Sequence, residues 1–174
     1  FTKGRTFRIV YQGIMIGLLT LAGFLIGLAT PEDKLPTMIE YNNQVMSVDE
    51  IDNLDEVLAD GGEYVSKEEV KVEIGQTMAF MVLAFSELVH VFNIRDNKNS
   101  IFKTGILGNR VLILAVLASA LLMGIILVVP GLRHIFSIPV LPMGNMLEVL
   151  GLVLAPVVIV EILKLFKLNT AKEE

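Results

Sequence analysis

The sequence predicts an all-α membrane protein in which four transmembrane helices form one bundle. Composition is the first observation behind this prediction: 53% of the 174 residues are hydrophobic, and the mean hydropathy is +0.66. An ordinary soluble domain is less apolar than this. The second observation is that the apolar residues form four long runs rather than being spread along the chain. Together they exclude a soluble enzyme.

Each apolar run is long enough to cross a bilayer, which needs about 20 residues of helix. None of the runs alternates apolar and polar residues with a period of two, as the strands of a transmembrane barrel do. Because the backbone must satisfy its own hydrogen bonds within lipid, we expect helices. The predicted spans are 8–29, 75–94, 110–130 and 146–166, all within one transmembrane domain over 1–174.

Charge divides the connecting segments into two classes. Residues 31–75 include thirteen acidic and three basic side chains, whereas the other long connector and both chain ends are rich in Lys and Arg. With four spans, all the basic segments fall on the same side of the membrane. Because Lys and Arg mark the cytoplasmic side, we expect both termini to be cytoplasmic and the acidic loop 31–74 to lie outside.

The acidic outer loop is predicted to be partly helical. Ser47 followed by Glu50 fits a capping box, the pattern that opens many helices. Three apolar residues then repeat at helical spacing, and two glycines would end the helix: Ile51, Leu54 and Leu58, then Gly61 and Gly62. The order of the acids lacks the glycine and the final Glu of an EF-hand loop. A solvated acidic face is therefore favoured over a calcium loop.

Small residues recur in the first span at a spacing of four. Gly13 and Gly17 form one such pair, and Gly23 and Gly27 form another. This spacing places the glycines of a pair on one helix face, where a second helix can approach closely. The sequence leaves open whether that second helix belongs to this chain, and chance in a glycine-rich span is the alternative.

The second span contains Glu87 and His90 near its middle. A charged residue at the centre of a membrane helix costs roughly 2.5–3.5 kcal/mol on insertion scales, so an intramembrane carboxylate is a candidate functional residue. Glu87 could bind a cation, carry a proton, or be a neutral acid hydrogen-bonded to another helix. His90 is interpreted as a packing and hydrogen-bonding residue, since hard cations prefer oxygen ligands.

The fourth span contains a second pair of charges. Glu161 and Lys164 are three residues apart, so they can pair on one face of the helix. A structural ion pair is favoured over a transport role. Pro156, which usually kinks a helix, precedes them, and Glu148 lies at the outer mouth of the span.

Several chemistries have no support in the sequence. The chain has no cysteine, which excludes disulfides and thiolate metal sites. It also shows no phosphate-binding glycine loop, no nucleophile with an adjacent base, and no His cluster at metal-ligand spacing. We therefore expect no catalytic residue and no cofactor within this chain, and no nucleic-acid partner.

Four segments resemble the C-terminal four transmembrane helices of P-type cation pumps, most closely those of the bacterial calcium-transporting group. In chain order they read "GIMIGLLTLAGFLIGLA", "TMAFMVLAFSELVHVFNIRDNKNSIF", "IFSIPVLP" and "PVVIVEILKLFK". None is a unique signature, but their order and spacing together are specific. The resemblance implies an integral, multi-pass protein of a bacterial cell membrane.

The resemblance also implies a role for Glu87. In reticulum-type calcium pumps a glutamate at the matching position helps to line one of two calcium sites, whereas plasma-membrane pumps and many bacterial relatives have Gln there. Carboxylate oxygens suit calcium. The family often has Asp-Glu where this chain has Val160 and Glu161, so any interaction of that Asp is missing.

The function implied is that of a membrane support domain of an ATP-driven cation pump, with calcium as the leading cation. The parent enzyme would use ATP and Mg²⁺, and this chain would contact its remaining transmembrane and cytoplasmic domains as well as the lipid bilayer. The alternative is a free-standing four-span protein that binds or regulates a partner. The start at Phe1 rather than Met and the packing glycines argue against that alternative.

Overall fold

A computed structural model describes residues 3–95 and 109–165. Its long helices are α1 (Lys3–Leu28), α3 (Lys67–Arg95), α4 (Arg110–Val128) and α6 (Met143–Leu165), with two short helices, α2 (Leu54–Ala59) and α5 (Pro130–Ile135). The four long helices contain apolar stretches that are long enough to cross a membrane. The prediction of a helical protein with four membrane spans is confirmed.

Helix α3 begins eight residues before the predicted span. A capping box that the sequence analysis overlooked fixes this start: the Ser66 backbone N–H donates to Glu69 Oε2 at 3.1 Å, and the Glu69 N–H donates to Ser66 Oγ at 3.3 Å. Two of the free N–H groups of the first turn are thereby satisfied. The S-x-x-E pattern of residues 66–69 is the signal that would have located it.

The acidic segment between α1 and α3, called the outer segment after its predicted side, folds into a small antiparallel sheet, which the sequence analysis did not predict. Its strands are β1 (Met38–Tyr41), β2 (Gln44–Ser47) and β3 (Glu63–Tyr64), in the order β2-β1-β3. A two-residue turn joins β1 to β2, and both of its asparagines have positive φ, 53° at Asn42 and 59° at Asn43. Such turns match the twist of a hairpin, and Asn tolerates this conformation well.

The predicted capping box at Ser47 is wrong. Ser47 is the last residue of β2 and makes no side-chain cap hydrogen bond. The helix α2 begins instead at Leu54, after Asn53. Ser47 pairs with Met38 in the sheet and is followed by a 3-10 helix of only three residues, Val48–Glu50, so no α-helix begins there.

The predicted stop at the glycine pair is confirmed. Gly61 has a φ of 98°, its N–H donates to Leu58 O, and the N–H of Gly62 donates to Val57 O at 2.8 Å. This pair of bonds is the Schellman arrangement, which uses a left-handed residue to satisfy the last carbonyls of a helix. The outer segment is therefore partly helical, as predicted.

Ion pairs attach the outer segment to α3 and to the short helix α5. Glu32 lies 2.8 Å from Lys67 Nζ and 3.7 Å from Lys71 Nζ. The hydrogen bond and charge of Lys67, and then the charge of Lys71, hold the pKa of Glu32 below its usual value. At α5, Glu50 accepts a hydrogen bond from Arg133.

The core lies where α3 packs against α1 and α6. Met38 of the outer sheet also belongs to this core. Its buried apolar side chains are Met38, Val70, Ile74, Met78, Met81, Val82, Leu141, Val149 and Val153. Helix α4 buries none of its residues. A helix that is apolar on every side and unburied in protein is suited to contact with lipid.

The orientation of the bundle stays a prediction, and cysteine labelling tests it. Because the chain has no native cysteine, a cysteine introduced at Asn53 or at Lys98 is the only thiol within residues 1–174. In intact cells an impermeant maleimide should label Asn53→Cys and leave Lys98→Cys unlabelled until the cells are opened. The reverse pattern would contradict cytoplasmic termini.

Candidate functional site

The candidate intramembrane acid lies on the open side of α3. Glu87 is exposed, and it follows Gln76, Phe80 and Leu83 at spacings of four, three and four, all of them exposed. Residues at these spacings share one helix face. Gln76 and Phe80, at one end of this face, line a cavity with residues of α4 and of the segment after α5. Glu87 itself is exposed among the described residues, so a ligand or a further helix could reach its carboxylate.

Two polar residues close to Glu87 on α3 point into the bundle. Ser86 is fully buried and His90 nearly so, and neither Ser86 Oγ nor His90 Nδ1 has a hydrogen-bond partner among the described residues. Gln12 of α1 is also buried. The antiparallel pairing of α1 with α3, fixed near Gly27 and Gly75, brings the Gln12 level of α1 to the His90 level of α3.

The two glycine pairs of α1 have different surroundings. A Cβ built on Gly27 would lie 2.4 Å from the Gly75 Cα, and one on Gly23 would lie 3.1 Å from Val82 Cγ2. Gly23 and Gly27 therefore meet α3 within this chain. A Cβ on Gly13 or Gly17 would have no atom within 4 Å, so this second pair lies on an open face.

Little in the structure indicates that the charged residues of α6 form a site together. Glu161 is half-buried and takes part in an interaction within the structure, while the Lys164 side chain lies outside the described part of the chain, so their pairing stays a prediction. Pro156 is buried in an α6 that continues past it to Leu165. Glu148 is exposed at the outer end.

Asn145 is a functional candidate that the sequence analysis missed. It is buried, and its Nδ2 lies 2.9 Å from Thr30 Oγ1 of the α1 end and 3.3 Å from Met78 Sδ of α3. It also lies 3.4 Å from Glu148 Oε2. One side chain of α6 thus contacts both α3 and the residues that directly follow α1, which holds these segments in register.

The described residues do not form a metal site by themselves. They contain no group of three His, Cys, Asp or Glu side chains close enough to share a metal ion. Calcium takes six to eight oxygen ligands, so Glu87 could supply only part of such a site. Any remaining ligands would have to approach from the open face of α3.

Comparison with known proteins identifies the family. A family model described as "Cation transporting ATPase, C-terminus" matches residues 1–166. The chain belongs to this family. With its four apolar helices it is an integral, multi-pass protein of a bacterial membrane. The family assignment from sequence resemblance is confirmed. The match supports a region of a cation pump over a free-standing four-span protein.

Several relatives of this cation-transporting ATPase region are named for calcium. Calcium-transporting ATPase 1 of Bacillus cereus is 35% identical over 161 residues, which is 92% of this chain but 16% of the relative. The calcium-transporting ATPase of Listeria monocytogenes is 37% identical over 97 residues, which is 55% of this chain. That of Bacillus subtilis is 37% identical over 81 residues, which is 47% of this chain. These two matches cover 11% and 9% of the relatives' own lengths. The chain therefore spans only a small part of each relative.

Proposed function

We propose that this chain is the C-terminal membrane support region of an ATP-driven pump that transports calcium. The single observation behind the proposal is the match to the C-terminal family over residues 1–166. The relatives named as calcium-transporting ATPases support calcium as the transported cation. The other transmembrane and cytoplasmic domains of the parent enzyme would then be its partners, and the lipid bilayer its surroundings.

A support role agrees with how the bundle is built. Helix α3 is fixed between α1 and α6 by a continuous apolar core, and Asn145 ties the three helices together at their outer ends. A rigid element of this kind can hold a neighbouring mobile helix in place while that helix changes position. The described residues have no phosphate-binding loop, so ATP and Mg²⁺ would bind elsewhere in the parent.

Two open features suggest where the transport helices of the parent would contact this region. One is the Gly13–Gly17 face, where a Cβ added to either glycine would meet no atom within 4 Å; small residues allow close approach of a helix. The other is the exposed Glu87 on α3. We propose that Glu87 adds one carboxylate to a cation site otherwise formed by the parent's transport helices.

Calcium uptake by the full-length parent tests the proposed function. Inverted membrane vesicles that contain the pump should accumulate radioactive calcium when ATP and Mg²⁺ are supplied, and a matched vesicle without the pump should not. Sodium, potassium or magnesium at the same concentration should not replace calcium in stimulating phosphoenzyme formation. ATP-dependent uptake of another cation, with none of calcium, would contradict the assignment of the substrate.

A further inference from the structure

A cavity of about 250 Å³ lies at the outer end of the bundle. Helix α3 lines it with Glu73, Gln76 and Thr77, and the link between α5 and α6 lines it with Phe136 and Ser137. Pockets that enclose a drug-sized molecule have about 300–1,000 Å³. This smaller cavity is suited to a single polar head with a short apolar neck.

The carboxylate in this cavity lacks a counter-charge. Glu73 Oε2 is buried and has no hydrogen-bond partner among the described residues. Lys67 and Lys71, its basic neighbours on α3, are both directed to Glu32. A buried polar atom without a partner is costly, so a bound cation would complete this site.

Further charges near the cavity also favour a cation. The carboxylates of Glu40 and Glu69 are close enough to act electrostatically on Glu73. Their negative charges make the surroundings of Glu73 more negative, which favours a positive group beside the Glu73 carboxylate.

The backbone of Ser137 is in an uncommon conformation at the cavity wall. Its φ is 51°, its N–H donates to His134 O, and the N–H of Ile138 donates to Arg133 O at 2.9 Å. This is the Schellman ending of a helix, where glycine is the usual left-handed residue. Ser137 lines the cavity, and a residue other than glycine in this conformation carries some backbone strain, which is often found at ligand sites.

We propose that this cavity binds the primary ammonium head of an amphiphile, and that its source in the membrane is the ethanolamine head of a phospholipid. An ammonium group has three donors, which the carboxylate, amide and hydroxyl oxygens of Glu73, Gln76 and Ser137 can accept. Phe80 and Phe136 also line the cavity, and aromatic faces attract organic cations. A divalent metal would need more charged oxygen ligands than this cavity offers.

Lipid retention by the full-length parent tests the proposal. Purified pump should be given equal amounts of phosphatidylethanolamine and phosphatidylcholine in detergent and examined by native mass spectrometry. We expect the ethanolamine lipid to be retained preferentially, because a trimethylated head cannot donate hydrogen bonds. Glu73→Gln should reduce that preference by about tenfold or more, the effect of losing one charge-assisted hydrogen bond. The control Glu68→Gln, an exposed acid of the same helix, should retain it.

Two further measurements identify the source of the ammonium group and distinguish loss of the site from misfolding of a variant. Gln76→Phe should occlude the cavity at an exposed position and abolish the preference while the carboxylate remains. Hexylamine, but not hexanol, should raise the melting temperature of the wild-type pump and not of Glu73→Gln. Stabilisation by hexylamine without any lipid preference would keep the ammonium site and overturn its lipid source. Equal effects of hexylamine and hexanol, or an unchanged preference in Glu73→Gln, would overturn the site itself.

Discussion

Replacing Gly27 by valine should separate α1 from α3 and destabilise the protein severely. The added Cβ would lie 2.4 Å from the Gly75 Cα and 2.6 Å from the Gly75 N. These are backbone atoms, so they cannot turn aside as the end of a flexible side chain could. Overpacking a well-packed contact typically costs about 1–3 kcal/mol, and we expect the upper end of that range for backbone against backbone. Gly27→Ala should already cause much of this loss of stability, because alanine adds the same Cβ.

The matched control is Gly17→Val on the same helix. A Cβ at Gly17 has no atom within 4 Å, so the thermal stability of this 174-residue chain in detergent should be almost unchanged. In the full-length parent the same substitution should impair assembly or transport, because the open glycine face would meet the transport helices there. If Gly27→Val were tolerated as well as Gly17→Val in the isolated chain, the close α1–α3 crossing would be wrong.

Sequence spacing predicts both glycine pairs equally and cannot tell them apart. Gly13–Gly17 and Gly23–Gly27 have the same separation on the same helix. What distinguishes them is Gly75 of α3, which lies against Gly27. That contact depends on which residues of two distant helices come together, and no local pattern encodes it.

Hydropathy and length predict the four membrane helices because the bilayer imposes them. The outer sheet has no such single cause. Its strands are two to four residues long, too short for a period-two pattern to be visible among acidic residues. Met38 and Ile39 are both buried although they are adjacent, because one packs toward the membrane core and the sheet is covered on more than one side.

The exposure of Glu87 likewise could not be predicted. Both sides of α3 are apolar, with Ile74 and Met78 facing inward and Phe80 and Leu83 facing outward. A helix with apolar residues all around gives no sequence signal for its buried side. Tertiary packing alone decides that His90 points into the bundle and Glu87 points away from it.

Glu87→Gln in the full-length parent should weaken the apparent affinity for calcium. The amide keeps the shape and one carbonyl oxygen but removes the negative charge and the option of bidentate binding. Loss of one charge-assisted contact is worth about 1–3 kcal/mol, which corresponds to about a 5- to 150-fold higher calcium concentration for half-maximal phosphorylation. Phosphorylation at saturating calcium should persist, because the nucleotide and phosphorylation sites would not be altered.

The measurement is calcium-dependent phosphorylation of the Gln variant at two pH values, with Glu148→Gln as the control. Glu148 is an exposed acid at the outer end of α6, so its substitution removes the same charge away from the proposed ion site. If Glu87 carries only a proton, calcium affinity should hold while the pH dependence of transport changes. If it is a neutral structural acid, the amide can still donate and accept hydrogen bonds, and both quantities should hold. Unchanged affinity at both pH values would remove Glu87 from the cation ligands.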